Sequence, residues 1–131
     1  MADLFSGEFM AVFMEEWNKE PDLADALSKI DFNSTIGYGF DGEDDPKGVL
    51  VIENGKAVKG EAFSGQELNW DLRCSEDQWK KWISKPPGMM GLGMAYTSRK
   101  IKFKVGDYGA MVKEPRMAGP FIKSFSVMGR V

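Results

Sequence analysis

The chain has no histidine and only one cysteine, Cys74, in 131 residues. Without imidazole there is no histidine-dependent triad, no imidazole general base and none of the usual zinc sites. A lone thiol excludes an intrachain disulfide framework, agrees with a reducing compartment, and is expected to pack as a small hydrophobe. Positive charge is also short: 17 Lys and Arg stand against 20 Asp and Glu, for a net charge of -3. With a pI of about 5.0, the chain lacks the basic excess of a general nucleic-acid binder. No apolar run approaches the roughly 20 residues that span a bilayer. Glu8, Glu15 and Glu16 interrupt the apolar pattern near the start and no basic leader precedes it. The segment does not read as a secretion signal, so a cytoplasmic location is expected.

Apolar volume is plentiful, with 43% hydrophobic and 12% aromatic residues. That is enough for one domain spanning 1–131, since chains of this size bury roughly two-thirds of their unfolded surface. Asp3 or Ser6 can cap a first helix in which Phe5, Phe9, Val12 and Phe13 follow helical spacing, widened by Met10, Met14 and Trp17. Pro21 suits the start of a second helix carrying Leu23, Leu27 and Ile30. From Thr35 the period becomes two. Ile36, Tyr38 and Phe40 share one face of a strand, and Gly37 and Gly39 the other, which permits close approach of a backbone, a helix or a ligand.

The acidic run Asp41 to Asp45 before Pro46 reads as a solvated hairpin loop, because an EF-hand would need glycine at Pro46 and a spaced terminal glutamate. Lys47 to Glu53 reads as a strand buried on both sides. Asn54-Gly55 marks a type I′ turn into a returning strand, Lys56 to Phe63. A fourth strand sets Leu68, Trp70, Leu72 and Cys74 against Asn69, Asp71 and Arg73, the alternation of a half-buried sheet. Ser75-Glu76-Asp77-Gln78 is a capping box opening a helix with Trp79, Trp82 and Ile83 on one side.

Pro86 to Tyr96, with the core Gly88-Met89-Met90-Gly91-Leu92-Gly93-Met94, is apolar on every face and uncharged. Each of its glycines costs about 1 kcal/mol relative to alanine within a helix, and methionine repacks readily, so the stretch reads as a soft apolar wall or as an ordinary core helix. Lys100 to Val105 is an amphipathic strand whose lysines solubilise a sheet edge or attract anionic headgroups. Beyond Gly106-Asp107, Tyr108, Met111 and Val112 form a short apolar face that Pro115 ends. Met117, Phe121, Phe125 and Met128, with Ile122 beside them, form a terminal helix whose entry at Gly119-Pro120 is a natural hinge or break.

The order and spacing of these elements resemble the type-two sterol carrier domain, the non-specific lipid-transfer family. The stretches that carry the likeness are Ile36-Gly37-Tyr38-Gly39-Phe40, Val49 to Lys56 with its Asn-Gly turn, Lys102 to Asp107, and Pro120 to Phe125. The resemblance covers nearly the whole chain. It implies an α/β fold in which helices cover one face of a five-stranded, largely antiparallel sheet, with an apolar tunnel between the layers. It also implies non-covalent binding of fatty acids, acyl-CoA esters, sterols or similar lipids, without metal, cofactor or catalytic residue. By position the tunnel walls would come from Trp82, Met90, Leu92, Met94, Phe103, Met111, Val112, Phe121, Ile122, Phe125 and Met128. Family members bound for peroxisomes end in a Ser-Lys-Leu type signal, whereas this chain ends Gly129-Arg130-Val131.

Carriage of a hydrophobic small molecule is the leading expectation, with transient contact to membranes or to a lipid-metabolising enzyme. Two other readings stand beside it. Asp107 and Tyr108, or Tyr96, would supply acid and base groups to an enzyme acting on an apolar substrate. Alternatively the apolar segments meet a protein partner or a second copy of the chain.

Overall fold

The computed structural model describes residues 3–131. Ser6 accepts the Phe9 amide at 3.2 Å and opens α1 (Gly7–Lys19). Phe9, Met10, Phe13 and Trp17 form its buried stripe. Two expected members of that stripe lie elsewhere. Val12 faces solvent, and Phe5 precedes the cap, with a φ of 62° that turns its ring inward against Tyr38 and Trp79. A π-helical turn, Pro21–Asp25, leads into a short α2 (Ala26–Ser28), burying Leu23 and Leu27.

The sheet is built from β1 (Ser34–Phe40), β2 (Gly48–Glu53), β3 (Lys56–Ala62), β4 (Trp70–Cys74) and β5 (Ile101–Val105), in the order β3-β2-β1-β4-β5. All neighbours are antiparallel except β1 and β4. The Asn54-Gly55 turn adopts the positive φ values expected of it, 52° and 85°. Ile36, Tyr38, Leu50, Leu72 and Cys74 face the helices and join a continuous apolar core. α1 lies tightly across β3: a Cβ placed on Gly60 would run into the Met10 carbonyl, so only glycine lets the backbones approach this closely.

The far face of the sheet departs from the half-buried expectation. Asp71 and Arg73 on β4 are both buried, and Arg73 Nε donates to Asp71 Oδ1 at 2.6 Å. The acidic loop between β1 and β2 folds back over them. Arg73 donates to the main-chain oxygens of Glu43 (2.6 Å) and Asp44 (3.2 Å). Pro46 sits against Gly37 and Gly39, where a side chain on Gly39 would meet the Pro46 backbone at 2.7 Å. The glycine face of β1 therefore receives another segment of the same chain. A buried arginine with several acceptors is what makes that fold-back favourable, because each carbonyl satisfies an N–H that could not reach water.

Four more helices complete the second layer: α3 (Glu76–Ser84), α4 (Met89–Thr97), α5 (Tyr108–Val112) and α6 (Pro115–Met128). Ser75 accepts the Gln78 amide at 3.1 Å, as the capping box requires. Pro120 does not break the last helix. α6 begins at Pro115, with Glu114 as its cap, and runs unbroken through Pro120 to Met128. Proline has no N–H for the Arg116 carbonyl, so the ladder loses one bond there while the helix continues. Among the described residues no helix is long and apolar enough to cross a membrane.

Candidate functional site

The two ends of the interlayer space differ. At the Phe40 end aromatic rings pack together, Phe5, Tyr38, Trp79, Trp82 and Phe125 with centroids 4.9–6.3 Å apart, and outside them lies an open, partly polar groove bordered by Phe5, Phe9, Phe40, Lys47 and Ile83. The Trp79 indole N–H is satisfied by the Gly39 carbonyl at 2.8 Å. At the other end, where β1 and β4 begin, filling is incomplete and leaves a cavity of about 30 Å³.

Its floor is Ile36 and Trp70, partners across the parallel pair. Trp17, Leu23, Leu27 and Phe32, with Met111 from α5 and Met117 and Phe121 from α6, complete the lining. Every lining side chain is aliphatic, thioether or aromatic. The Trp17 N–H is turned away to the Gly55 carbonyl at 3.0 Å. Such a space excludes water and offers no group for proton transfer; it can hold apolar matter.

The volume is roughly tenfold below the ~300 Å³ at which ordinary ligand pockets begin. Anything larger than a few atoms would fit only if the wall moved. α5 and the first half of α6 contribute methionines, Met111 and Met117, whose unbranched side chains repack more readily than the aromatic and branched residues elsewhere in the lining. The second half of α6 is held: Phe125 lies in the aromatic cluster, Arg130 donates to Glu20 Oε1 at 2.8 Å, and Lys123 lies 3.8 Å from the same oxygen. The bond missing at Pro120, that of the Arg116 carbonyl, falls within the part of α6 that lines the cavity, between Pro115 and Phe121. The Arg130 hydrogen bond, supported by the Asp22 amide and the nearby charges, outweighs burial and lowers the Glu20 pKa below its usual value.

The residues expected to line a tunnel separate into four groups. Met111 and Phe121 line the cavity. Phe103 stands one ring away, 6.0 Å from Phe121 and 5.3 Å from Tyr108, while Val112 and Ile122 pack half-buried against the core. Trp82 and Phe125 belong to the aromatic plug, and Met128 and Leu92 are fully packed in the core. Met90 and Met94 are 81% and 67% exposed on the outside of α4. Leu92 and Ala95 are the residues α4 turns inward, so the two methionines lie on its opposite side. Trp17, Leu23, Leu27, Phe32, Ile36, Trp70 and Met117 also line the cavity, although the resemblance did not place them in a tunnel wall. As apolar residues in regular stripes they carry no mark distinguishing a cavity wall from filled core.

The groups considered for acid–base chemistry are otherwise engaged. Asp107 Oδ1 accepts the Ala110 amide at 3.0 Å and caps α5. Tyr108 stacks on Tyr96 with centroids 4.0 Å apart, and burial, aided by Tyr96, pushes its phenol pKa above the usual value. The Cys74 thiol is buried, and desolvation together with the Asp41 charge pushes its pKa up.

No family model matches the chain, and no curated protein does. Solved structures do match. A crystal structure of sterol carrier protein 2 superposes with a TM-score of 0.78 at 15% identity, covering 98% of this chain and 99% of that one. A conserved Thermus thermophilus protein, described as a candidate sterol carrier protein, gives 0.70 at 14% identity, covering 96% and 90%. UbiJ-SCP2, a ubiquinone synthesis protein, gives 0.61 at 10% identity, covering 95% and 90%. The fold is that of the sterol carrier domains.

Proposed function

We propose that the protein binds and carries a hydrophobic small molecule, such as a fatty acid, an acyl-CoA ester or a sterol, without covalent chemistry. The observation that carries this reading is the wholly apolar cavity at the start of β1 and β4, lined in part by methionines and by a helix with a missing backbone bond. Binding energy would come from desolvation. Each methylene moved out of water contributes about 0.8 kcal/mol, so a long acyl chain needs few polar contacts and selectivity rests on the shape the opened wall can take. The neighbours with the same fold include sterol carrier proteins and a ubiquinone synthesis protein, which agrees with an apolar cargo.

Native mass spectrometry of the protein as expressed, followed by extraction of bound lipid and displacement of a fluorescent fatty acid, tests the proposal directly. Saturable one-to-one binding is expected, weakened at least tenfold in Met111→Trp, where an indole fills a site that now holds a flexible thioether. Absence of saturable binding across fatty acids, acyl-CoA esters and sterols would refute it. So would binding that Met111→Trp leaves untouched.

A further inference from the structure

α4 has an outer face that the cavity does not use. Met89, Met90, Met94 and Tyr96 are its exposed large side chains, and nothing between Pro86 and Ser98 is charged. A helix that buries Leu92 and Ala95 and still presents methionines to water is apolar on both sides, a pattern that marks a contact surface. The charges around it have one sign. Lys85 lies just before the helix and Arg99 and Lys100 just after it, all exposed, and no acidic residue occurs between Lys85 and Gly106. None of these three cations forms an ion pair among the described residues. Lys102 and Lys104 are different, because they are tied to Asp41 and to the carbonyls of the acidic loop.

We propose that the outer face of α4, with Lys85, Arg99 and Lys100 at its ends, docks the protein on an anionic lipid bilayer. Methionines entering the headgroup boundary would supply the apolar contact, and the flanking cations would sit at phosphate level. The rest of the chain sets the orientation. Residues 1–84 hold eighteen acidic and eight basic side chains, residues 85–131 two acidic and nine basic, so an anionic surface repels the first part and attracts the second. A second copy of the chain is a poorer occupant. A two-fold contact through this face would bring the same cations toward each other, with no acidic residue on the face to answer them. The inference stands on the surface of α4 and is independent of whether the cavity takes cargo.

The test uses co-sedimentation with vesicles of phosphatidylcholine alone and of phosphatidylcholine mixed with phosphatidylglycerol. A polarity-sensitive fluorophore is placed in parallel on Met90→Cys or, as a control, on Val58→Cys, an exposed site on β3. The native Cys74 is buried and does not compete for the label. The expected result is binding to the mixed vesicles only, released by salt, with a blue shift of the label at 90 and none at 58. The variant Lys85→Gln/Arg99→Gln/Lys100→Gln should bind on the order of 100-fold more weakly, about fivefold per basic residue near a charged surface. Met90→Asp/Met94→Asp should lose at least tenfold by placing charge in the apolar contact. All variants change exposed side chains, and unchanged thermal melts would confirm that they fold. Equal binding to neutral vesicles, a shift at 58 matching that at 90, or indifference to both sets of substitutions would overturn the proposal. A concentration-dependent dimer that hides position 90 and ignores vesicles would overturn it in favour of self-association.

Discussion

Replacing Gly91 and Gly93 of α4 with alanine is expected to stabilise the protein. A Cβ on Gly91 would find Pro87 Cβ at 3.8 Å, and one on Gly93 would find the Tyr108 hydroxyl at 3.6 Å. Both are ordinary contact distances, and neither glycine has positive φ. No steric term opposes the substitution, so the gain is the conformational freedom that alanine removes from the unfolded chain, about 0.5–1 kcal/mol per site. The double variant should therefore gain about 1–2 kcal/mol, which for a domain of this size corresponds to a rise in Tm of roughly 3–8 °C. Urea and thermal unfolding followed by circular dichroism read the change, with an unaltered urea m-value showing that the folded state is the same. Lipid displacement and vesicle binding are measured on the same samples. A lower or unchanged Tm would refute the steric reasoning. A higher Tm with lipid affinity and ligand range intact would show that the looseness of α4 has no part in cargo binding.

Three further outcomes follow from the packing. Gly60→Ala should cost about 2–3 kcal/mol in urea unfolding, since its Cβ would meet backbone of α1 and only a shift of the helix relieves the contact; a cost below about 0.5 kcal/mol would contradict it. Arg73→Met should cost about 3–5 kcal/mol, because it leaves the buried Asp71 carboxylate without its partner, whereas Asp71→Leu/Arg73→Met should recover much of the loss. Equal losses in the single and double variants would show that the pair itself contributes little. Glu20 has a lowered pKa in the folded protein, chiefly from Arg130, so its contribution is fully present above the ordinary carboxylate pKa of about 4.5 and is lost as pH falls through the lower folded value. Glu20→Gln should flatten the acid side of the stability profile, and a carboxylate found by NMR to titrate at or above 4.5 would refute the pairing.

Local chemistry was legible in the sequence where one residue type is strongly demanded. Asn54-Gly55 does form the tight turn, Ser75 does cap α3, and the alternation of β1 correctly assigns Ile36 and Tyr38 to the core face. The order of such signals, matched to a known arrangement, was enough for the five-stranded sheet and its helical layer. What escaped depends on long-range contact. Nothing near Asp71 and Arg73 announces that the 41–46 loop, some thirty residues away, folds over them. The phase of α4 was hidden for a different reason: a helix apolar on all sides has no period from which to tell that Leu92 points in and Met90 out. The helix through Pro120 shows tertiary packing overriding a local breaker, since Pro120, like Ala118 and Ser124, is buried.

The single parallel joint in the sheet has a consequence for how the chain assembles. α1 and the meander β1-β2-β3 come from the first 62 residues, whereas β4 and β5 with the last four helices come from the remainder. The two halves share one sheet seam, Ile36 to Phe40 along Trp70 to Cys74, formed between strands more than thirty positions apart. That seam and the β4–β5 pairing are the long-range pairings of the sheet and carry its largest loop-closure cost. Ile36 and Trp70, the floor of the cavity, are the first pair of the seam. A molecule seated there would touch both halves at once, and its release would be felt as a loosening of the joint along which the protein was assembled.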